Sequence, residues 1–287
     1  MKKAYGVQKN LYGKTKELIS NIDSIVTSYK EKGMKITIRQ VYYQCVARKI
    51  IDNNKEQYNK IADVVSAGRM AGLLDWDVIE DRTRYTRENV HFNSPQEILQ
   101  IAANQYRIDT RATQPFFLEC WIEKDSLVSI LETTCKRLDV PCFSCRGFSS
   151  ITALHEAALR FNNSGKKNII LYAGDHDPSG LHIPKVIQDR LKTFNAKVNL
   201  KRIGLTLSQI EELNLPPFYA KEKDSNYSEY VKNTGTKYAW ELDALPPEKL
   251  STLFEQEINA LTDFTALREL QNLQNKDKSY LLNFIND

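Results

Sequence analysis

The run Asn168-Ile-Ile-Leu-Tyr-Ala-Gly-Asp-His-Asp-Pro-Ser-Gly180 restricts the fold of this chain more than any other stretch. Ile169 to Ala173 is a short apolar segment preceded by Ser-Gly-Lys-Lys, which predicts a buried strand. Gly174, Asp175 and Asp177 follow, and Pro178-Ser179-Gly180 opens a helical pattern. Two carboxylates two residues apart, just past a strand end, project toward one crevice and repel each other unless a cation lies between them. Hard oxygen donors of this kind suit magnesium or manganese. Open α/β sheets place their chemistry at such carboxyl ends. The run alone fits equally well a plain alternative, in which Asp177 caps the next helix and Asp175 makes a turn.

The flanking sequence favours a metal site. From Pro115 onward, apolar strand-like runs alternate with helical patterns. Strands are expected at Phe116–Ile122, Val140–Cys145, Ile169–Ala173 and Val198–Ile203, with helices between them. That order predicts a mainly parallel sheet with helices on both faces. Glu123, at the end of the first strand, then shares an edge with Asp175 and Asp177. Arg146-Gly147 follows the second strand. Beyond Pro216-Pro217, residues 218–237 are polar and rich in Lys and Tyr, and read as an exposed excursion. Glu241 and Asp243 sit on alternate positions and are either further metal-facing acids or polar residues near a helix start. Residues 246–287 read as amphipathic helix, suited to packing or to a dimer face.

The first third has a different character. Helical spacing runs from Leu11 to about Tyr29, Gly33 stops it, and Thr37 can cap a second helix over Ile38–Arg48. A third helix is expected over Glu56–Met70, followed by a mixed segment at 73–84 that suits a small β-wing. Three helices and a wing form the winged-helix pattern. Lys55, Lys60 and Arg69 on or beside the third helix, and Arg82, Arg84 and Arg87 on or after the wing, are candidate phosphate contacts. Singly, each reads as a solvated surface charge. The net charge of +4 is uneven: residues 1–114 carry 19 Lys/Arg against 13 Asp/Glu, and the remainder 21 against 23. A basic module joined to a slightly acidic one fits nucleic-acid binding beside a metal–carboxylate site.

Five cysteines, with no signal peptide evident, fit reduced thiols and a cytoplasmic setting. Cys142-Phe-Ser-Cys145 has a zinc-like spacing without a matching second pair, and reads as structural. No apolar run approaches the roughly 20 residues needed to span a bilayer.

Ile122-Glu123-Lys124, Arg146-Gly147 and Gly174-Asp175-His176-Asp177-Pro178-Ser179-Gly180 together resemble a Toprim domain, whose catalytic centre carries one glutamate and an Asp-x-Asp pair. The chain is most similar to the family of the topoisomerase VI A subunit and the protein that makes meiotic double-strand breaks. In that family a winged-helix domain precedes the Toprim domain. Arg39-Gln40-Val41-Tyr42-Tyr43 resembles the family's nucleophile run, with Gln40 in place of an aspartate. Glu241-Leu-Asp-Ala-Leu245 resembles a late acidic segment of the same proteins. The likeness covers about residues 30 to 250, and the chain looks like a reduced, stand-alone version without an ATPase module, of the kind carried by mobile elements and defence loci.

The resemblance implies an N-terminal winged-helix domain (1–90), a connecting helix and linker (91–114), a parallel-sheet, Rossmann-like Toprim domain (115–245) and C-terminal helices (246–287). It implies Tyr43 as nucleophile, Glu123, Asp175 and Asp177 as ligands to Mg2+ or Mn2+, and Arg39 and Arg146 steadying a phosphate. Glu123 is alternatively the acid for the leaving oxygen. The expected partners are double-stranded DNA, a second copy of the chain and a separate ATPase. A hydrolytic Toprim nuclease acting on DNA or RNA is the second reading, with Tyr43 as core packing. A non-enzymatic DNA-binding regulator is the third, and it leaves three convergent acids without a use.

Overall fold

Helix formation at the amino end follows the apolar spacing. In α1 (Lys14–Glu31), Leu18, Ile19, Ile22, Ile25, Val26 and Tyr29 fall on one buried face, and Gly33, at a φ of 67°, turns the chain after it. Thr37 closes a capping box on α2 (Ile38–Ala47). Its hydroxyl accepts from the Gln40 N–H at 3.3 Å, and the Gln40 side chain accepts from the Thr37 N–H at 2.7 Å. Gln40 therefore has a local task at the start of the helix. Asn54 caps α3 (Lys55–Met70), which turns Ile61, Val64 and Val65 inward. The computed structural model describes residues 2–5, 13–80, 89–147 and 150–286.

The expected β-wing at 73–84 is not present in its described part. Residues 73–80 form turns, and Ile79 makes a single bridge to Ile36. A run containing Asp75, Trp76 and Asp77 has little regular strand pattern, and Asp75 instead accepts the Asp77 N–H in a tight turn at 2.9 Å. The rest of the wing, with Arg82, Arg84 and Arg87, lies outside the described residues.

After α4 (Pro95–Gln105) the chain is a mixed α/β layer. It runs β1 (Phe116–Ile122), a 3-10 turn (Asp125–Leu127), α5 (Val128–Leu138), β2 (Cys142–Ser144), α6 (Ile151–Asn163), β3 (Lys167–Ala173), α7 (Pro178–Thr193) and β4 (Val198–Gly204). The four strands form one parallel sheet in the order β2-β1-β3-β4. Strand alternation divides the core in two. Leu118, Cys120, Ile122, Ile169, Leu171 and Ala173 join the cluster that includes residues of α5, while Trp121, Ile170 and Tyr172 join residues of α6 and α7. Helices thus cover both faces, as parallel sheets require.

The chain then forms α8 (Leu207–Glu212), β5 (Phe218–Tyr219), α9 (Tyr227–Thr234), β6 (Tyr238–Ala239), a 3-10 turn (Leu242–Ala244), α10 (Pro247–Ala260) and α11 (Phe264–Asn286). Residues 218–237 are largely exposed, as expected, but carry regular structure of their own. β5 pairs with β6, and Tyr230 on α9 is buried with Ala220 and Ala239. Two inward aromatics, Tyr227 and Tyr230, three apart on a helix, anchor a segment whose composition is otherwise polar. α10 adds Leu250, Phe254 and Ile258 to the larger core. α11 lies along α4, where the Tyr106 hydroxyl donates to Asp277 at 2.9 Å and the Ile108 N–H to Gln274 at 3.0 Å. Among the described residues, no helix is long and apolar enough to cross a membrane.

Phe254 is completely buried where α10 meets the rest of this core. Phe254→Ala should destabilise the fold by about 3–5 kcal/mol, read as a lower midpoint in a urea unfolding curve.

Candidate functional site

β1 and β3 are neighbours with Ile122 opposite Ala173, so the residues that follow emerge side by side. The Glu123 N–H still donates to the Ala173 carbonyl at 2.9 Å. Glu123 then turns its carboxylate across the gap, where it accepts the Asp175 N–H at 2.9 Å. Two glycines permit this closeness. A Cβ on Gly174 would sit 2.5 Å from Glu123 Oε2, and one on Gly180 would run into the Asp175 carbonyl. Asp177 caps α7, accepting the Gly180 N–H at 2.6 Å.

The same loop is tied to the late acidic segment. His176 and Trp240 exchange backbone hydrogen bonds of 2.8 and 3.0 Å, and Asp175 Oδ1 accepts the Leu242 N–H at 2.7 Å. Glu241 and Asp243 are thereby drawn to the cluster. Burial and the Arg202 guanidinium lower the His176 pKa to about 4, so the ring is neutral at pH 7, with Nδ1 3.0 Å from the Tyr230 hydroxyl.

Lys124 lies at the centre. Its ammonium is 3.0 Å from Asp175, 2.7 Å from Glu241 and 2.8 Å from Asp243. Burial works against that charge, but the three acids outweigh it and raise the lysine's pKa. Arg202 donates to the carbonyls of Gly174, Asp175 and Gly180 at 2.6–3.0 Å, bringing a second cation beneath the loop. Carboxyl groups outnumber the cations at this edge. Burial, with Asp177 nearby, pushes Glu123 above the usual carboxylate range, and burial raises Asp175 to about 8 despite Lys124. Among the described residues, no group of three or more His, Cys, Asp and Glu side chains is gathered in a metal-ligating arrangement. Asp175, Glu241 and Asp243 are instead gathered around the lysine.

α2 packs on the 3-10 turn Leu242–Ala244 and carries both of its candidate residues to this edge. Tyr43 is 7% exposed. Burial, followed by the negative charge of Glu241, raises the phenol's pKa well above its ordinary value. Glu241 itself is held below the usual range: burial opposes its charge, but Lys124, Tyr43 and Arg39 prevail. Arg39 is exposed at the head of α2. Burial of part of the side chain opposes its charge, and the fields of Asp243 and Glu241 more than offset this. One chain thus brings together Tyr43, Arg39, Glu123, Asp175, Asp177, Glu241 and Asp243.

The candidate nucleic-acid contacts are dispersed. Lys60 is exposed on α3. Arg69 spends its guanidinium on the carbonyls of Trp76 and Ile79 and lies over the Trp76 ring, so it holds the turn at 75–79. Arg146 is exposed, at a positive φ, and pairs with Asp125 at 3.3 Å. Arg82 and Arg84 lie outside the described residues. Lys124, Tyr172 and Arg202 were not singled out by sequence reasoning. Lys124 had a usable signal, because a lysine directly after a strand-end glutamate must leave on the same edge. Cys145 is buried and Cys142 half-buried.

Asp175 supplies a pH test. Its pKa rises from 3.8 to about 8 on folding, so between those values the folded chain holds a proton that the unfolded chain releases. The Asp175 contribution to stability should be greatest below the lower value and fall as pH rises toward 8. Asp175→Asn should flatten this slope in metal-free urea unfolding measured from pH 4 to 8. Comparison of the sequence with protein-family models and with curated proteins gives no match.

Proposed function

We propose that the chain is a metal-dependent DNA-cleaving enzyme of the topoisomerase VI A-subunit type, with a three-helix N-terminal domain ahead of a Toprim domain, acting through a phosphotyrosine at Tyr43. The observation that carries this reading is the meeting of α2 with the sheet edge. Tyr43 lies within the field of the Glu241 carboxylate, and Glu241 shares Lys124 with Asp175.

The donor set suits a hard divalent ion, since every acid at the edge offers carboxylate oxygens and these groups outnumber the cations there. Asp175 and Asp177 would hold magnesium or manganese, with Glu123 as a third ligand. Once bound, the ion supplies neutralisation of charge building on the phosphate oxygens. The chain's own residues account for the rest. Tyr43 Oη forms the bond to phosphorus as the bond from phosphorus to the 3′ oxygen breaks, leaving a 5′ phosphotyrosine. The phenolic proton passes to the nearby Glu241 carboxylate. The 3′ oxygen takes its proton from water where Glu123 holds the ion, or, in the alternative role, from Glu123 in its acid form, which burial favours. Arg39 steadies the phosphate, and Arg146 is exposed near enough to the strand ends to assist. The substrate is double-stranded DNA. A homodimer would set two such sites on opposite strands, and any ATP hydrolysis would come from a separate partner.

One observation favours the second reading, a Toprim nuclease in which water attacks DNA or RNA. Tyr43 is buried, and its phenol is harder to ionise than a free tyrosine.

Tyr43→Phe should abolish covalent protein–DNA adducts trapped under denaturing conditions while sparing binding. If that variant cuts normally, the phosphotyrosine step is wrong and the hydrolytic reading replaces it. Asp175→Asn, or chelation of divalent ions, should lower cleavage by roughly a hundredfold or more. Because Tyr43 faces the acids of its own chain, mixing Tyr43→Phe chains with Asp175→Asn chains should restore no cleavage. Recovery of activity in the mixture would show that the tyrosine works on the partner's acids.

A further inference from the structure

The amino end of the parallel sheet, opposite the acidic edge, holds a cleft of about 560 Å³ between the start of β1, the end of α5 and the chain at 107–111. Pockets for small organic molecules have this size. Phe116, Phe117, Leu118 and Val140 give it an apolar floor, and four cations, Arg107, Arg111, Lys136 and Lys166, line its walls. Its two acids are already occupied. Asp139 accepts the Thr110 N–H at 3.0 Å and the Thr110 hydroxyl at 2.5 Å, and Asp109 accepts the Arg111 N–H at 2.8 Å. Lys166 is fixed in place by the carbonyls of Arg111 and Ala112, at 2.9 and 2.8 Å.

Arg111 is the unsatisfied member. Its Nη1 donates to the Thr262 hydroxyl at 3.0 Å, while Nη2 is buried and has no acceptor among the described residues. Burial works against the guanidinium's charge, and the fields around it, that of Asp139 first, do not make up the deficit. A buried charged donor without an acceptor is unfavourable, and the group that best satisfies a guanidinium is an oxyanion.

We propose that this cleft binds a small organic anion, with its oxyanion on Arg111 and its apolar body on Phe116, Phe117 and Leu118. The site is distinct from the acidic edge and does not depend on the DNA-cleaving reading. Past Phe116 and Lys166 the cleft continues into a shallower groove with Lys167, Lys192 and Lys197, which a nucleic-acid strand could follow. The apolar floor and the buried guanidinium favour the small anion, because a phosphate backbone is neutralised by cations and has no use for such a floor.

The probes are 8-anilinonaphthalene-1-sulfonate and N-phenyl-1-naphthylamine, which share an aromatic body and differ in the sulfonate. In fluorescence titrations of the full chain, the sulfonate should saturate at one per chain and bind roughly tenfold more tightly than the neutral probe. Arg111→Met should weaken the sulfonate roughly tenfold and leave the neutral probe unchanged. Lys136→Glu, at an exposed position on α5, should weaken it too without altering the circular dichroism spectrum. No saturable binding to the wild type, equal affinity for the two probes, or an affinity unmoved in a folded Arg111→Met chain would overturn the proposal. So would displacement of the probe by a single-stranded oligothymidylate that is lost in Lys192→Glu, since the cleft would then belong to nucleic acid. If Arg111→Met does not fold, an affinity unmoved by Lys136→Glu overturns the proposal instead.

Discussion

The buried ammonium of Lys124 holds the functional edge of this protein together. Removing a lysine from water costs several kcal/mol, and only close, multiple carboxylate contacts offset that. Here three such contacts come from two separate segments, and the lysine itself from a third. The ion cluster therefore fixes tertiary structure as well as charge. It holds the end of β1, the loop after β3 and the turn at 241–244 in one place, and α2 rests on that turn. Breaking one partner leaves the others buried and uncompensated, a strongly unfavourable state.

Most of the parallel layer was legible because its signals are local. Ile169–Ala173 is an apolar run with turn residues on both sides, and the strand found there extends it by only two residues, to Lys167. The boundaries of α2 and α7 follow from Thr37 and Asp177, whose side chains accept helix N–H groups as capping residues do. The placement of Glu123 beside Asp175 followed from strand alternation once a parallel sheet was expected. Asp177 caps α7, as the plainer of its two readings expected.

What was not legible depended on long-range partners. The region 218–237 has a polar composition, and only Tyr230 reaching the carbonyls of His176 and Tyr238 gives it an ordered place. Arg69 was indistinguishable in sequence from a phosphate contact, but the carbonyls of residues 75–79 claim its donors. Lys124 is hidden in the sequence for a related reason. Its place after Glu123 gives its edge, but nothing in its neighbourhood distinguishes it from a surface lysine there. It points into the protein, toward acids more than a hundred positions away along the chain as well as to Asp175.

The pair of backbone hydrogen bonds between His176 and Trp240 has a mechanical consequence. Trp240 precedes Glu241, and His176 lies between Asp175 and Asp177, so the two acidic segments are geared to each other. Lifting one drags the other, and with it the carboxylate whose field Tyr43 feels. Under the proposed function, a DNA strand pressing between those segments would relieve Tyr43 of that field in the same movement that spreads the acids.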